Sequence, residues 1–350
     1  MNIGIYDPYL DTLGGGERYC LDIASCFSSG HTVSFFWDDP GILAKASKRF
    51  HIDTSSLRTV PNIWNTKGIA ARMRGTKGYD ALFYVSNGSI PVSFAKKTFL
   101  IFQFPVPWVD GKKYTTQFKM RRIKKVLCYS EFVKKHIDKT FGINALVLPP
   151  AVDLDAFVPQ EKENLILSVG RFTGAMNAKK HDVLIDAFKT LAKKDGKDWR
   201  LVIAGGVLPS DAAVVEKLKK QAKGFRITLE ANISFTKLQS LYGKAKIYWH
   251  AAGYGEDLIK HPERAEHFGI TTIEAMSAGA VPVVFGAGGQ AEIVQDKKSG
   301  LLWETPAQLV ARTATLIHNE KMRSLLVAGG RTRSRRYAKE QFCAAAGALL

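Results

Sequence analysis

A chain of 350 residues with 46% hydrophobic and 23% charged residues is long enough for two folded domains, and this composition excludes an intrinsically disordered protein. Its formal net charge of +18 indicates an anionic partner, which could be a nucleotide diphosphate, an anionic membrane surface or nucleic acid. No apolar run is long enough to cross a membrane, and the first residues do not form a signal peptide, so we expect a cytoplasmic protein.

The first part of the chain alternates short apolar runs with helical or loop stretches. The runs are rich in β-branched and aromatic residues, as buried strands are, and they cover residues 2–7, 32–37, 80–87, 98–104 and 125–130. Alternation of this kind predicts an α/β fold with a mostly parallel sheet and helices on both faces.

Three glycines, Gly14, Gly15 and Gly16, follow the first of these runs and open a predicted helix. Glycines at a helix N-terminus allow a ligand to approach the backbone closely, but they also serve in plain strand-to-helix turns. The spacing is not G-x-G-x-x-G, and no acidic residue is cleanly placed to bind a ribose. The residues alone therefore leave both interpretations open.

The pair Pro149 and Pro150 predicts the end of this domain, because neither residue can continue a helix or a central strand. We therefore predict one domain over residues 1–150 and a second over residues 151–333. The second part repeats the alternation, with predicted strands at residues 165–171, 200–206, 226–230, 246–251, 281–286 and 300–304. Two such doubly wound halves would each hold a ligand at the carboxyl ends of their strands and would face each other across a cleft.

The run of residues 265–289 combines two carboxylates, a glycine turn, a short helix, a strand and a second glycine loop. A helix predicted over residues 271–278 would leave the preceding amides free to bind an anion such as phosphate. Glu266 and Glu274 are eight positions apart, so both carboxylates can face the same site. Thr271 and Glu274 also match a capping box, in which the glutamate only closes its own helix, and the residues alone leave this alternative open.

Along its whole length this run resembles the retaining glycosyltransferases of family 4, which have the GT-B fold. Their signature has two glutamates separated by seven residues and continues with E-A-M and P-V-V. The matching residues here are Glu266, Glu274, Ala275, Met276, Gly279, Pro282, Val283 and Val284. The segment EHFGI is especially similar to members that transfer mannose to lipid-linked or cell-surface glycans. The resemblance implies two Rossmann-like domains and a terminal helix, over about residues 334–350, that crosses back onto the first domain.

The resemblance also implies roles for individual residues. The predicted catalytic residues are Glu266, which would contact hydroxyls of the donor sugar, and Arg171 and Lys179, which would bind the donor phosphates. Arginine can bind two phosphate oxygens at once, whereas lysine offers a compact charge. Lys180 is adjacent, and the alignment of the family lysine permits a shift of one residue. In isolation these two cations would be interpreted as solvated side chains.

The predicted donor-binding residues surround these three. The resemblance places the ribose at Glu274 and the base at Ile233 and Ser234, and the family has a Gly-Gly loop where this chain has its N-terminal glycines. The complete predicted set is Gly15, Gly16, Ile233, Ser234, His267, Phe268, Gly269, Ile270 and Glu274.

The resemblance further implies that the leaving phosphate takes the proton of the acceptor on the same face of the sugar, so that no protein base is required. The two glutamates are therefore not interpreted as the acid and nucleophile of a glycosidase. On the acceptor side the chain departs from the family. Many members have a histidine in a run such as H-Y-P, and here the run is Gln103, Phe104 and Pro105. Glutamine can donate a hydrogen bond to a sugar hydroxyl but cannot carry a proton, so an acid-base role does not transfer.

Histidines and cysteines indicate no metal site. The eight histidines are scattered and there is no D-x-D signature, so we expect no bound metal and no cofactor apart from the donor substrate. His250 and His267 are candidate site residues, although His250 could merely close the end of a strand. The four cysteines form no C-x-x-C pair, which favours buried reduced thiols over disulfides or metal ligands; they are Cys20, Cys26, Cys128 and Cys343.

A basic run in the first domain carries interleaved apolar residues. It contains Lys112, Lys113, Tyr114, Phe118, Lys119, Met120, Arg121, Arg122, Lys124 and Lys125. A surface that contacts anionic lipids has this composition, and so has an RNA-binding patch or a solvated helix face. We favour peripheral contact with an anionic inner membrane face and do not expect nucleic acid.

These observations predict a metal-independent retaining glycosyltransferase that moves a hexose from a nucleotide diphosphate sugar to a lipid-linked or polysaccharide acceptor. A protein that binds anionic surfaces or nucleic acid through a decayed version of the fold is the alternative from another class. A sugar phosphorylase or an epimerase of the same architecture is the alternative among enzymes.

Overall fold

The computed structural model describes residues 1–65, 68–174 and 179–350. The chain divides into two compact units, one formed by Met1–Ala151 together with Lys339–Leu350 and the other by Val152–Ala338. Each unit is built on one parallel sheet. None of the helices in the described ranges is long and apolar enough to span a membrane.

The first unit has a seven-stranded sheet in its described residues, with the order β3-β2-β1-β4-β5-β6-β7. The strands are β1 (Asn2–Tyr6), β2 (Thr32–Phe36), β3 (Leu57–Val60), β4 (Ala81–Val85), β5 (Lys97–Phe102), β6 (Lys125–Cys128) and β7 (Leu146–Val147). The helices between them are α1 (Gly15–Phe27), α2 (Ile42–Phe50), α3 (Ile69–Thr76), α4 (Tyr114–Met120) and α5 (Glu131–Phe141). The central strands are almost completely buried, as the apolar runs predicted.

All five strands predicted for this unit are present, and two others were missed. β3 has the sequence LRTV and lies at the edge of the sheet, where the Arg58 side chain is exposed, so it lacks the apolar run on which the prediction relied. β7 has only two residues. Edge strands are paired on one side only and need less apolar surface than central strands, which is why the pattern does not reveal them.

Over its described residues, the second unit has a six-stranded sheet with the order β10-β9-β8-β11-β12-β13. The strands are β8 (Glu163–Val169), β9 (Arg200–Gly205), β10 (Ile227–Ala231), β11 (Ala245–His250), β12 (Val281–Phe285) and β13 (Leu301–Trp303). The helices are α6 (His181–Lys194), α7 (Ala212–Ala222), α8 (Phe235–Lys244), α9 (Ile270–Ser277), α10 (Gln290–Ile293), α11 (Pro306–His318) and α12 (Glu320–Ser334). All six predicted strands are present, with ends that differ by one or two residues.

Strand order reverses once in each sheet, between β1 and β4 in the first unit and between β8 and β11 in the second. Chains of this topology leave a crevice at the carboxyl ends of the strands where the order reverses, because the connecting helices there lie on opposite faces of the sheet. The reversals therefore mark where a ligand is expected in each unit.

The last helix, α13 (Lys339–Gly347), belongs to the first unit and packs on α1. Cys26 of α1 and Cys343 of α13 form a disulfide, so the prediction of reduced thiols was wrong for this pair. Their separation of 317 residues hides the contact from any spacing argument, because it exists only once the terminal helix has packed. Cys20 and Cys128 are buried free thiols, as predicted.

Candidate active site

Three side chains of the second unit meet at the carboxyl ends of β8 and β11. Lys179 Nζ lies 2.7 Å from Glu266 Oε2, and His250 Nε2 lies 2.7 Å from the same oxygen. The Lys179 and Glu266 side chains are only 17% and 12% exposed, so their charges interact in a medium less polar than bulk water. Two of the three predicted catalytic residues are therefore in direct contact.

The ion pair determines the charge of each group. Burial raises the pKa of Glu266, but the Lys179 ammonium and the hydrogen-bonding contact with His250 outweigh burial and leave that pKa below its usual range. Burial lowers the pKa of His250 against the opposing influence of Glu266, so its ring is neutral at pH 7. The site thus presents an ammonium, a carboxylate and a neutral imidazole.

Two glycines explain how the lysine reaches this position. Gly170 follows β8, and a Cβ on it would lie 2.5 Å from Lys179 Cγ. Gly205 ends β9, and a Cβ on it would lie 1.9 Å from the carbonyl oxygen of Gly170. Only glycine at both positions lets the two strand ends approach each other and leaves space for the Lys179 side chain.

The N-terminus of α9 provides backbone donors directly after Glu266. Gly269 precedes the helix with a φ of +120°, a conformation that favours glycine. Over the described ranges, no carbonyl or side chain accepts a hydrogen bond from the amides of Phe268, Gly269 or Ile270. Because a helix also carries partial positive charge at this end, these amides can bind an anion.

The capping-box alternative for this helix is wrong. α9 has no side-chain cap, and Thr271 Oγ1 instead lies 2.7 Å from the hydroxyl of Tyr248, which donates to it from β11. Tyr242 of α8 donates its hydroxyl proton to Glu274 Oε2 at 2.7 Å. Burial raises the pKa of Tyr242 well above its usual value, so it remains a donor. Glu274 is therefore a buried carboxylate held by a neighbouring helix.

The second glycine loop of the run 265–289 fixes the backbone of Glu266. Gly289 N donates to the carbonyl oxygen of Glu266 at 2.7 Å. A Cβ on Gly288 would lie 2.3 Å from that same oxygen, and a Cβ on Gly289 would lie 2.5 Å from the α-carbon of Phe268. Larger residues would push the loop away. The two glycines therefore fix the position of the Glu266 carboxylate relative to the N-terminus of α9.

Arg171, Ile233 and Ser234 lie at the same edge of the sheet, because the carboxyl ends of parallel strands share one edge. Arg171 directly follows Gly170, its side chain is exposed, and no carboxylate of the described residues forms an ion pair with it. Ser234 caps α8 by accepting a hydrogen bond from the backbone amide of Lys237 at 3.2 Å. Contact of these three residues with a base or a phosphate stays a prediction.

His267 supports the loop but offers no charge. Its Nε2 lies 2.9 Å from the carbonyl oxygen of Glu263, and burial lowers its pKa to about 4, so the ring is neutral. A contact of His267 with the donor would have to be a neutral hydrogen bond. Among the residues that the structure describes, no group of three or more His, Cys, Asp or Glu side chains could hold a metal ion.

Residues 153–333 match a family model described as Glycosyl transferases group 1. The chain belongs to this family. It is 25% identical over 233 residues to an uncharacterized glycosyltransferase of Methanocaldococcus jannaschii, a match that covers 65% of this chain and 60% of that protein. It is 24% identical over 269 residues to the Alpha-1,3/1,6-mannosyltransferase ALG2 of Homo sapiens, with coverage of 71% and 60%. The chain thus spans about three fifths of the length of these curated relatives.

The fold of this chain is shared with solved structures. The crystal structure of Anabaena HepE in complex with UDP and glucose matches with a TM-score of 0.74 and 16% sequence identity, over 99% of this chain and 98% of that chain. With its two Rossmann-like parallel sheets the chain matches GT-B glycosyltransferase structures, and this fold prediction is confirmed. The glycosyltransferase interpretation is favoured over a surface-binding protein on a decayed fold.

In the first unit, Gln103 lies against the glycine loop. Gln103 Nε2 donates to the carbonyl oxygen of Gly16 at 3.2 Å, and the Tyr129 hydroxyl donates to the same oxygen at 3.1 Å. A Cβ on Gly16 would lie 2.5 Å from Gln103 Oε1, so a larger residue here would displace the Gln103 amide. Gly15 begins α1 and is exposed. The predicted acceptor-side residue is thus in contact with one of the two predicted donor-side glycines.

An acidic pair beside this loop was not predicted from the sequence. Asp7 follows β1 and is 1% exposed, with Oδ1 accepting a hydrogen bond from the backbone amide of Tyr9 at 3.0 Å. Glu17 Oε2 accepts one from the amide of Gly14 at 2.6 Å. Burial first and the charge of Glu17 second raise the pKa of Asp7 to about 7. No motif signalled the pair, because each carboxylate binds local backbone.

Other supporting residues of the second unit were also missed. Tyr248 and His250 are two positions apart in β11 and so point to the same face, which the strand period could have shown. Lys180 was named only as an alternative to Lys179, yet its Nζ lies 2.5 Å from Glu256 Oε1, whereas Lys179 contacts Glu266. The geometry therefore favours Lys179 for the site.

The basic run of the first unit is only partly as expected. Tyr114 and Phe118 of α4 are 77% and 58% exposed, and Trp108, just before the run, is 54% exposed. Met120, which was expected to add apolar surface, is buried at the end of α4, so this expectation was wrong. The guanidinium of Arg122 lies 4.7 Å from the centre of the Phe94 ring and is partly engaged.

Proposed function

We propose that this chain is a retaining glycosyltransferase that moves a hexose from a nucleotide diphosphate sugar to a lipid-linked or polysaccharide acceptor. The observation that carries the proposal is the contact of Lys179 with Glu266 beside the open amides of α9. One part of this site attracts a diphosphate, and the other accepts hydrogen bonds from sugar hydroxyls. A nucleotide diphosphate sugar presents both groups at once.

The donor phosphates would bind where positive charge gathers. Lys179 and Arg171 supply two cations at the carboxyl end of β8, and the amides of Phe268, Gly269 and Ile270 supply neutral donors. Together they would stabilise the charge that develops on the diphosphate as it leaves. The proposal needs no metal ion, because these groups perform the neutralisation that a cation would otherwise provide.

The sugar would lie against Glu266. As a buried ionised carboxylate, Glu266 can accept hydrogen bonds from hydroxyls of the sugar while Lys179 turns towards the phosphates. In the proposed step the bond from the anomeric carbon to the phosphate oxygen breaks, and a bond from that carbon to the acceptor oxygen forms on the same face. The proton of the acceptor hydroxyl passes to the leaving phosphate, so the charges balance without a protein base.

The remaining assignments follow from this placement. Glu274, which Tyr242 holds by a hydrogen bond, would bind the ribose, and Ile233 and Ser234 would contact the base. Anabaena HepE was solved with UDP and glucose, and ALG2 is named a mannosyltransferase, which supports a nucleotide-linked hexose as donor. The role of His267 as a neutral donor-site residue, of Gly15 and Gly16 at the donor and of Gln103 at the acceptor belongs to the same proposal.

The test measures ligand, product and stereochemistry together. Thermal shift with UDP, GDP and ADP should reveal one preferred nucleotide, because only a ligand of the native state raises the melting temperature. Transfer from the matching nucleotide sugar to an acceptor analogue should then give, by NMR of the first product, the anomeric configuration of the donor. An inverted product would overturn the retaining mechanism, and no response to any nucleotide would overturn the function.

We further propose that the enzyme is cytoplasmic and meets its acceptor at an anionic inner membrane face through the basic run Lys112–Lys125. The exposed rings of Trp108, Tyr114 and Phe118 would insert among the lipids, while the cations contribute roughly 1 kcal/mol each near an anionic bilayer. The charge complementarity of a basic, aromatic surface with anionic lipid supports this placement.

Replacement of Arg121, Arg122, Lys124 and Lys125 by glutamine should abolish sedimentation with phosphatidylserine vesicles, and added salt should weaken the binding of the parent protein. Turnover of a soluble acceptor analogue should stay unchanged, which controls for folding. Vesicle binding equal to that of the parent, or preference of the parent for RNA, would contradict the membrane assignment.

A further inference from the structure

Two consecutive lysines of this chain bind two different glutamates of one loop. Lys179 pairs with Glu266 at 2.7 Å, and Lys180 pairs with Glu256 at 2.5 Å. Both glutamates belong to the segment 251–269 that connects β11 to α9. The loop therefore holds the start of α6 at two neighbouring points, only one of which belongs to the donor site proposed above.

Lys180 is the N-cap of α6 and has a left-handed backbone, with a φ of +53°. A residue other than glycine adopts this conformation at a cost in free energy, so surrounding contacts have to maintain it. The pair with Glu256 is such a contact. Since Lys179 directly precedes this residue, the backbone of Lys180 decides where the Lys179 side chain begins.

Glu256 is itself firmly placed. Arg264 Nη1 lies 2.8 Å from Glu256 Oε2, so its two oxygens bind two different cations. The hydrogen bonds of Lys180 first and Arg264 second lower the pKa of Glu256, which keeps the carboxylate ionised. Nearby, the Tyr254 ring packs on Phe285 and Trp303, with ring centres 5.6 and 5.4 Å apart, and anchors the loop on the core.

We infer that Glu256 is a positioning residue of the donor site, which sequesters Lys180 and so sets Lys179 alone against Glu266. Without the Glu256 carboxylate, Lys180 would be free to turn towards Glu266 or towards a bound diphosphate. Two adjacent ammonium groups would then compete for one carboxylate. Lys179 would no longer occupy a single defined position against Glu266. This inference rests on the proposed function, but its structural part concerns lysine contacts that need no substrate.

The first experiment uses lysine acetylation by a water-soluble reagent, read residue by residue by mass spectrometry on the native, ligand-free protein. Glu256→Gln should raise the labelling of Lys180 and also that of Lys179. Asp257→Asn is the matched control, because Asp257 lies next in the same loop and, among the described residues, forms its ion pair with the exposed Lys260 at 3.2 Å and accepts from the amides of Ile259 and Lys260. The control should raise labelling at Lys260 and leave Lys179 as in the parent. Unchanged labelling of Lys179 in Glu256→Gln would overturn the inference whatever the enzyme does.

The second experiment uses transfer by the whole chain. Glu256→Gln should lower kcat by roughly tenfold, because the misplaced cation no longer meets the leaving diphosphate, and should change the KM for the acceptor little. Glu256→Asp should recover part of kcat. In the double variant Glu256→Gln with Lys180→Gln the loss should be no greater than in Glu256→Gln alone, since the competing ammonium has gone.

The outcomes distinguish the positioning role of Glu256 from the proposed function. A lower melting temperature with parental kcat at low temperature would show that Glu256 is only structural and would overturn the inference. A parent that neither binds UDP, GDP or ADP nor transfers any sugar would contradict the proposed function, while the acetylation of Lys179 would still decide the positioning.

Discussion

Each unit places a carboxylate near the point where its strand order reverses, and the pKa values of these two carboxylates, Glu266 and Asp7, are shifted in opposite directions. In the second unit, Glu266 contacts Lys179, and its pKa lies below the usual range. In the first unit, Asp7 follows β1 and accepts a hydrogen bond from the Tyr9 amide, and burial raises its pKa to about 7. The same architecture thus stabilises a charge at one position and suppresses it at the other.

The difference teaches that the fold supplies the location and the side chains supply the chemistry. Around Glu266 the chain gathers an ammonium and open helix amides, which suit a diphosphate. In the first unit, Asp7 accepts a hydrogen bond from the Tyr9 amide, while the Gln103 amide and the Tyr129 hydroxyl donate to the carbonyl oxygen of Gly16 in the glycine loop; neutral donors of this kind suit neutral hydroxyl groups. The contrast agrees with a donor site in the second unit and an acceptor site in the first.

The largest effect on sugar transfer is expected from replacement of Lys179, the cation that contacts Glu266 in the second unit. Lys179→Met should lower kcat/KM for sugar transfer by about a thousandfold, because it removes a buried charge that stabilises the leaving diphosphate and leaves Glu266 without its cation. Steady-state kinetics with the preferred donor check this expectation. Lys194→Met, at the exposed far end of the same helix α6, is the control and should behave as the parent. Equal activity of the two variants would remove Lys179 from the site.

The two glutamates should separate the sugar from the nucleotide. Glu266→Gln should lower transfer by about a hundredfold but leave the affinity for the nucleoside diphosphate nearly intact, because the carboxylate contacts the sugar. Glu274→Gln should weaken both, since its carboxylate would bind the ribose. Calorimetric titration with the nucleotide, beside the transfer assay, distinguishes them. A Glu274→Gln variant that only melts earlier would show a structural carboxylate held by Tyr242.

Arg171 should act on nucleotide affinity. Arg171→Ala is expected to weaken binding of the nucleoside diphosphate about thirtyfold, or ~2 kcal/mol, as for a charge-assisted contact with phosphate. The affinity measured by calorimetry should depend less on salt in the variant than in the parent. Arg226→Ala changes an exposed arginine that directly precedes β10, at the opposite edge of the sheet, and provides the comparison. Unchanged affinity in Arg171→Ala would show that this cation is merely solvated.

Much of this architecture is predictable from the sequence, because central parallel strands are continuous apolar runs. The run 265–289 is also recognisable, because its glutamates and glycines have a characteristic spacing. Eleven of the strands follow from that pattern, while β3 and β7 escape it for lack of apolar residues. The sequence shows the glycines of this run but not why glycine is needed there. The close approach of Gly288 to the Glu266 carbonyl is visible only in the structure.

Pairings between distant residues could not be predicted. The contact of Glu256 with Lys180 joins positions 76 residues apart, and the disulfide joins positions 317 apart. Neither has a local pattern, since each depends on how whole elements pack. His250 was a candidate site residue from the sequence, but its contact with Glu266 is shown only by the structure.

The smallest effect concerns the suppressed charge of Asp7 and appears as a pH dependence of stability. The folded-state pKa of Asp7, about 7, lies above its ordinary value of 3.8, so the folded protein holds this proton more tightly than the unfolded chain. Its contribution to stability is therefore fully present below about pH 4 and is lost as the pH rises towards 7.

Asp7→Asn imitates the protonated form and should remove this dependence. Between pH 5 and pH 8 the free energy of unfolding in urea should fall in the parent by at least about 1 kcal/mol more than in the variant. Asp155→Asn, which changes an exposed carboxylate of the second unit, is the control and should follow the parent. If Asp7→Asn and the parent lose stability in parallel, Asp7 is ionised in the folded protein at neutral pH. The electrostatic contrast between the two units would then disappear, and with it the argument that the first unit receives a neutral acceptor.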